Sequence, residues 1–399
     1  MPKLFIQAKP VLEKIEQAGF QAYFVGGAVR DYLLNKQISD VDIATSATPA
    51  EIKEIFPKTV DVGIEHGTIL VIFKGIPYEV TTFRTESEYA DFRRPSRVEF
   101  IRSLEDDLKR RDFTMNAIAM NRNFTIIDPY LGKAAIENQQ IRTVGRPEDR
   151  FQEDALRMMR AVRFVSQLSF SIERTTYQGL SDHGFLLEKI AVERILAEFN
   201  KLLAGENKTE AFKILRETGI YQFLPGFKGC GHVLAEYEGL DTAGLKELIE
   251  NWTLLVHLLK PADIDSFLRS WKMSAKQMKQ IKKYVFYLNR RLQGSLNKID
   301  MFHAGLETTL SLEKIFCVLT ECPEEAHDTD QIESVYQSLP IHALKELAVD
   351  GNDLIQWSAR KAGPWIKEVL LFALEGVLEQ KAANEKEAIR EWLCRCNLI

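Results

Sequence analysis

The first third of the chain alternates apolar runs of strand length with amphipathic stretches. Val11 to Ala18 spaces its apolar residues as a helix does, and Ala22 to Val25 then reads as a short strand ending on Gly26-Gly27. Further strand-like runs lie at Val41 to Ala44, Thr68 to Phe73, Tyr78 to Phe83 and Phe124 to Ile127, punctuated by Gly63, Gly67, Gly75, Pro77 and Pro129. From about Arg150 the strand signal stops and helical periodicity runs to the C-terminus, with breaks near Gly205, Gly219, Pro225 to Gly231, Gly294 and Pro340. The pattern predicts an α+β protein: a small mixed sheet with helices, then a nearly all-α remainder. No fixed-period repeat or low-complexity tract argues for a solenoid or a linker.

At roughly 100 to 200 residues per domain, 399 residues predict two to four domains. Lys and Arg number 52 against 57 Asp and Glu, a net charge of −5, so nucleic-acid binding has to rest on local basic patches. The five cysteines form no CxxC pair, which fits neither a disulfide framework nor a zinc site and points to a reducing cytoplasm. Lys3, Lys9, Glu13, Lys14 and Glu16 break up the N-terminal stretch, so no signal peptide is predicted. Val369 to Leu378 spans about half of the ~20 residues a bilayer crossing needs and contains Glu375, so a soluble protein without a membrane partner is expected.

Three groups of residues carry candidate chemistry. Gly26-Gly27-Ala28-Val29-Arg30-Asp31 follows a strand, where two glycines turn the chain tightly and leave amides that favour an anion; the alternative is a structural turn. In Ser39-Asp40-Val41-Asp42-Ile43, residues two apart on a strand share a face, so Asp40 and Asp42 project together and repel unless cations lie between them. Such a pair suits two Mg²⁺ ions in phosphoryl transfer, or else it is a solvated strand edge. Phe151 to Arg163 reads as a helix burying Ala155, Met158, Met159 and Val162. Asp154, Arg157, Arg160 and Arg163 recur every three residues and wind around it, with more positive charge than one aspartate offsets. Between these groups, Lys109-Arg110-Arg111-Asp112-Phe113-Thr114-Met115-Asn116 offers triphosphate and ribose contacts.

In this order, GGAVRD, DVD, RRDFTMNA and EDALR resemble the motif series of the bacterial class II CCA-adding tRNA nucleotidyltransferases, of the polymerase-beta-type superfamily. The resemblance implies a nucleotidyltransferase head (1–137), a helical neck (138–205), a body (206–294) and a tail (295–399), elongated and α-helical beyond the head. It implies addition of C, C and A to the 3′ end of tRNA from CTP and ATP, with Mg²⁺ on Asp40 and Asp42 in a two-metal site. Gly27, Arg30 and Arg111 would hold the nucleotide, and Asp154 and Arg157 would select it, with Arg160 and Arg163 nearby. The chemistry is sound: a carboxylate accepts from the amino group of C or A, whereas G and U present a carbonyl there. Glu79 is a candidate third carboxylate. The polar stretch Arg84 to Arg94, lacking strand alternation, is expected to be the family's mobile loop, assisting the change from C to A.

A tRNA partner also needs a basic surface. No acid occurs between Asp265 and Asp300, and Lys272, Lys276, Lys279 and Lys283 fall at spacings of four, three and four, predicting one helical row of lysines. The alternatives are a bacterial poly(A) polymerase, whose long basic extension is missing, an enzyme adding only CC or only A, and an RNA-binding protein with an inactive fold. The seven histidines show no HD pair, so no phosphohydrolase module is indicated. Trp252, Trp271, Trp357, Trp365 and Trp392 suit a core better than a homodimer interface, the other arrangement the sequence allows.

Overall fold

In the computed structural model, which describes residues 1–89, 95–322, 329–358 and 360–399 and only the main chain of 86–89 and 95–98, the amphipathic N-terminal segment is helix α1 (Lys3–Gln17). It buries Phe5, Ala8, Val11, Leu12 and Ile15. The strands that follow are β1 (Ala22–Val25), β2 (Asp42–Thr45), β3 (Thr59–Gly63), β4 (Thr68–Phe73), β5 (Ile76–Thr82), β6 (Arg84–Tyr89), β7 (Pro95–Phe100), β8 (Ala119–Met120) and β9 (Ile126–Ile127). Seven make a mixed sheet in the order β3-β4-β5-β2-β1-β8-β9, where only β2 and β5 run parallel. Helices α2 (Gly27–Leu33), α3 (Pro49–Ile55), α4 (Leu104–Lys109) and α5 (Gly132–Glu137) complete this part.

Two strand features depart from expectation. β3 carries Val60 and Val62 at 49% and 53% exposure, so it is an edge strand without the buried alternation that marks a strand in sequence. The stretch expected as a loop is instead a ribbon: β6 pairs antiparallel with β7, Arg84 opposite Phe100. Main-chain bonding holds a ribbon without apolar alternation. Residues 90–94 of the expected loop lie outside the described residues.

The helices that follow are α6 (Pro147–Glu153), α7 (Leu156–Leu168), α8 (Arg174–His183), α9 (Val192–Leu203), α10 (Lys208–Glu217) and α11 (Gly231–Glu238). The expected single helix from Phe151 to Arg163 is two, because Asp154 at φ −143°, ψ 102° ends α6. Ala155, Met158, Met159 and Val162 are fully buried, as their spacing requires. A two-residue parallel pair, Gln140–Ile141 with Ser171–Ile172, is the one exception to the strandless remainder among the described residues.

The described residues divide into two compact units, 1–238 with 270–272, and 239–269 with 273–399. The expected divisions after 137, 205 and 294 each fall inside one of these units. In the first, Phe199 packs on Phe227 and Trp271 with ring centroids 5.8 and 4.8 Å apart. The second contains α12 (Leu248–Leu259), α13 (Ile264–Ser270, up to Arg269), α14 (Ala275–Gln293), α15 (Lys298–Ala304), α16 (Leu306–Thr320), α17 (Thr329–Gln337), α18 (Gly351–Ser358), α19 (Trp365–Leu378) and α20 (Lys386–Arg395). Its C-terminal core joins Leu354, Val369, Leu374, Val377, Ile389 and Leu393. Trp252, Trp271 and Trp392 are buried; Trp357 and Trp365 are half-buried against that core. No helix among the described residues is long and apolar enough to cross a membrane.

The lysine row is shorter than its spacing suggested. A reciprocal Ser274–Gln277 cap starts α14 after Lys272, which sits outside the helix at φ 57°. Lys283 turns its ammonium to the Ala304 carbonyl at 2.7 Å. Lys276 and Lys279 remain exposed on α14.

Candidate active site

A turn at Gly26 shapes the site. β1 ends at Val25, and Gly26 takes φ 69° and ψ −136°, a conformation that a side chain opposes. A Cβ there would stand 3.2 Å from Nη1 of Arg111 and 3.8 Å from Oδ2 of Asp42. Its absence lets a guanidinium and a carboxylate approach the main chain, and α2 begins at once with Gly27. The sequence singled out Gly27, but a Cβ there meets only Nη2 of Arg30 at 3.6 Å, so the tighter demand falls on Gly26.

Asp42 opens β2, whereas Asp40 lies two residues ahead of the strand. The expectation that one strand carries both carboxylates is corrected to a loop–strand junction. Val41 and Ile43 are nonetheless buried at 7% and 0% exposure, and both aspartates line a single cavity of about 670 Å³. Pairing of Ile43 with Val80 sets Glu79 beside Asp42, and Glu79 lines the same cavity. Burial, then the charges of Asp40 and Glu79, push the Asp42 carboxyl up to about 6 against the pull of Arg111. A cation between these carboxylates relieves the repulsion. Among the described residues no three His, Cys, Asp or Glu side chains are grouped to hold a metal by themselves. Mg²⁺ needs no such cage, since it keeps several waters and takes one or two carboxylates together with substrate phosphates. The open Asp40–Asp42 pair fits that ion.

The remaining charge in the cavity is mostly positive. Arg30, Arg84, Arg110, Arg111, Arg160, Arg163 and Lys201 line it, seven cations against Asp40, Asp42, Glu79 and Asp112, an excess suited to a triphosphate. The guanidiniums are held in place. Arg30 donates to Asp31 and to the side-chain carbonyl of Asn116, each at 2.8 Å, and Arg111 donates to Asp107 at 3.1 Å. Arg160 Nε donates to Asp112 at 2.8 Å, and Arg163 pairs with Glu198 at 2.8 Å. Phe164 gathers three of them: the guanidinium carbons of Arg163, Arg30 and Arg160 lie 4.1, 5.1 and 5.7 Å from its ring centroid. Burial, then the neighbouring Arg160, push the Arg163 guanidinium down to about 10 although Glu198 opposes them.

Asp154 and Arg157 are not among the residues lining this cavity. The Asp154 carboxylate accepts from Arg194 Nη2 at 2.8 Å and from the Leu156 amide at 3.1 Å. Arg157, 7% exposed, donates to the main-chain carbonyls of Arg150 and Arg110 at 3.0 and 2.9 Å and pairs with Glu153. The winding basic band expected of this segment is therefore corrected. Each arginine has its own acid: Glu153 for Arg157, Asp112 for Arg160 and Glu198 for Arg163. Asp112, within the block expected to offer triphosphate and ribose contacts, lines the cavity and also anchors Arg160. Burial would raise its carboxyl, but Arg160, Asn116 and the Phe113 amide outweigh burial and hold it well below the usual carboxylate range. Arg194 and Glu198 escaped the sequence reading, since neither lies in a motif and both partners are distant along the chain.

Residues 22–142 match the family described as "Poly A polymerase head domain", 169–230 the one described as "Probable RNA and SrmB- binding site of polymerase A", and 244–393 the one described as "tRNA nucleotidyltransferase domain 2 putative". The CCA-adding enzyme of Bacillus cereus (strain AH820) is 44% identical over 395 residues, 99% of either chain, as is that of Bacillus anthracis (strain A0248). The crystal structure of the Bacillus stearothermophilus CCA-adding enzyme in complex with CTP is 44% identical, covers 100% of this chain and 98% of its own, and superposes with a TM-score of 0.93. The Thermotoga maritima CCA-adding enzyme complexed with tRNA shares the fold, at 19% identity and a TM-score of 0.63 over 99% of this chain and 96% of its own. With full-length relatives this similar, and one cavity joining the aspartate pair to an excess of arginines, the chain belongs to the CCA-adding enzymes, a family of tRNA nucleotidyltransferases.

Proposed function

We propose that this chain adds C, C and A in turn to the 3′ end of tRNA, using CTP and ATP without a nucleic-acid template, in the cytoplasm. The observation that carries the reading is the meeting of Asp40, Asp42 and the arginines in one cavity. Residues 1–137 serve as catalytic head, 138–205 as neck, and 206–294 and 295–399 as tRNA-binding body and tail.

In this reading the turn at Gly27, with Arg30 and Arg111, binds the triphosphate and fixes the α-phosphorus near the carboxylates. Arg160 and Arg163 complete the nucleotide's surroundings. Asp40 and Asp42 would hold Mg²⁺, expected as a pair of ions, and the metal would supply Lewis-acid stabilisation of the attacking 3′-oxygen and of the leaving pyrophosphate. The 3′-oxygen bonds to the α-phosphorus, the bond to the β-phosphate oxygen breaks, and pyrophosphate leaves. The test is a product ladder on tRNA lacking its 3′ end. Two residues from CTP, then one from ATP, and none from GTP or UTP are expected. Continued addition of A would indicate a poly(A) polymerase, and a stop at CC or at A alone a specialised enzyme. No incorporation would leave an inactive RNA-binding fold.

Base choice falls to Asp154 and Arg157, which requires Asp154 to exchange Arg194, and Arg157 to exchange Glu153 and its main-chain partners, for the nucleotide. Asp154→Ala is expected to reduce the preference for CTP over UTP by about 10- to 100-fold, roughly 1 to 3 kcal/mol at a bidentate contact. Competition between the two nucleotides measures the ratio, and an unchanged ratio removes Asp154 from base choice.

For tRNA, α14 offers six cations and no acid, with Lys276, Lys279 and the Phe286 ring, 54% exposed, turned to water. Phosphates find charge there and an unpaired base finds a ring face. Replacing Lys276 and Lys279 by Glu is expected to weaken tRNA binding at low salt by about tenfold or more and to lower the salt slope by about 2. Unchanged affinity and slope would take α14 out of the interface.

A further inference from the structure

The end of α16 brings two thiols together. Glu321 follows the helix at φ 52°, and this left-handed residue folds the chain back so that the Cys322 amide donates to the Cys317 carbonyl at 3.2 Å. A cap of this form sets the side chains at those two positions against each other, a contact that apolar residues usually make. Here the two thiols are in hydrogen-bonding contact, and Cys322 Sγ stands 3.1 Å from Thr320 Oγ1. Both line a cavity of about 760 Å³ inside the second unit, Cys317 at 8% exposure and Cys322 half-buried. Neither is in a disulfide. Among the described residues no third His, Cys, Asp or Glu joins them to make a metal site.

We propose that Cys317 and Cys322 are a dithiol site for small-molecule disulfides, which convert it to an intramolecular Cys317–Cys322 bond. Cys322, the more open of the two, attacks as thiolate, forming a mixed disulfide and releasing one small thiolate. Cys317 then loses its proton and attacks the Cys322 sulfur, releasing the second. In total the two cysteines give up two protons and two electrons, and one small disulfide becomes two thiols. In the reduced pair, burial, then the charge and the hydrogen bond of Cys322, push the Cys317 thiol up to about 11; once Cys322 is in the mixed disulfide burial still raises it, so the second step quickens as pH rises from neutral toward 9. The bond locks a turn that matters to its neighbour: Phe316 carries the Arg291 guanidinium of α14 at 3.7 Å from its ring centroid, and Arg291 donates to Glu313 at 2.7 Å.

The site is independent of the reaction proposed above. Its test uses the full-length protein incubated with oxidised glutathione, alkylated with iodoacetamide and digested with trypsin, since peptide 315–345 holds both cysteines and no others. The expected peptide is two hydrogens lighter and unalkylated, and dithiothreitol restores two alkylations. In Cys317→Ser the expected product stops at glutathione on Cys322. Two alkylations in the oxidised wild type, or glutathione that persists there, overturn the proposal. So does a closed wild-type peptide that forms no faster in the folded protein than in guanidinium, because closure would then owe nothing to the cap.

Discussion

Asp42→Asn is expected to lower CTP incorporation by about 10³-fold or more, roughly 4 kcal/mol of transition-state stabilisation, while raising the melting temperature of the metal-free protein at pH 7.5. The two effects share a cause. Burial, Asp40 and Glu79 push the Asp42 carboxyl up to about 6, so the folded state holds that proton more tightly than the unfolded chain does. The charged carboxylate therefore costs stability as pH rises from about 4 through 6, and the cost is complete above that range. Asparagine removes it. Because Asp42 opens onto cavity water, screening keeps the gain below about 1 kcal/mol, and at pH 4 the gain vanishes. Melting curves in EDTA at the two pH values, beside turnover with Mg²⁺, test both parts. A variant less stable at pH 7.5 would show that Asp42 is held by favourable contacts, and retained turnover would remove it from catalysis.

What could be read in the sequence was what local chemistry alone decides. The turn after β1 follows from two glycines behind a strand, and the burial of Val41 and Ile43 between two aspartates follows from alternation. β4 was legible to the residue because it is a bounded apolar run, and its buried Ile69 and Val71 sit two apart. β3 was not, since its valines face water, and the β6–β7 ribbon was not, since main-chain pairing leaves no trace in side-chain periodicity. The site divides the same way. Motifs named Arg30, Arg111, Arg160 and Arg163, and the cavity contains them all. Spacing could not say which charge answers which: Glu198 meets Arg163 from a different helix, and Arg194 holds Asp154 from 40 residues away. Nor could it show that Lys283 turns to a carbonyl in place of water.

Asp112 is where those long-range answers converge, and Asp112→Ala is expected to cost about 3 kcal/mol of stability, at the lower end of the range for breaking a buried ion pair. Its carboxylate accepts from Arg160, the Asn116 side chain at 3.0 Å and the Phe113 amide at 2.8 Å, all lost together. Arg160 keeps 32% of its side chain exposed, and that access to cavity water sets the loss at the lower end. Since the folded carboxyl lies well below its unfolded value near 4, the contribution is present above that pH and fades as pH falls beneath it. Urea unfolding at pH 7 and at pH 3 therefore gives a wide gap between wild type and variant at the first and a narrower one at the second. Replacing Arg160 by Met in the same chain is expected to recover part of the loss, because much of it is the cost of a guanidinium left without its counter-charge. A loss under about 1 kcal/mol, or a double variant no better than the single, would mean that water already answers Arg160 and that the ion pair does not organise the arginines around Phe164.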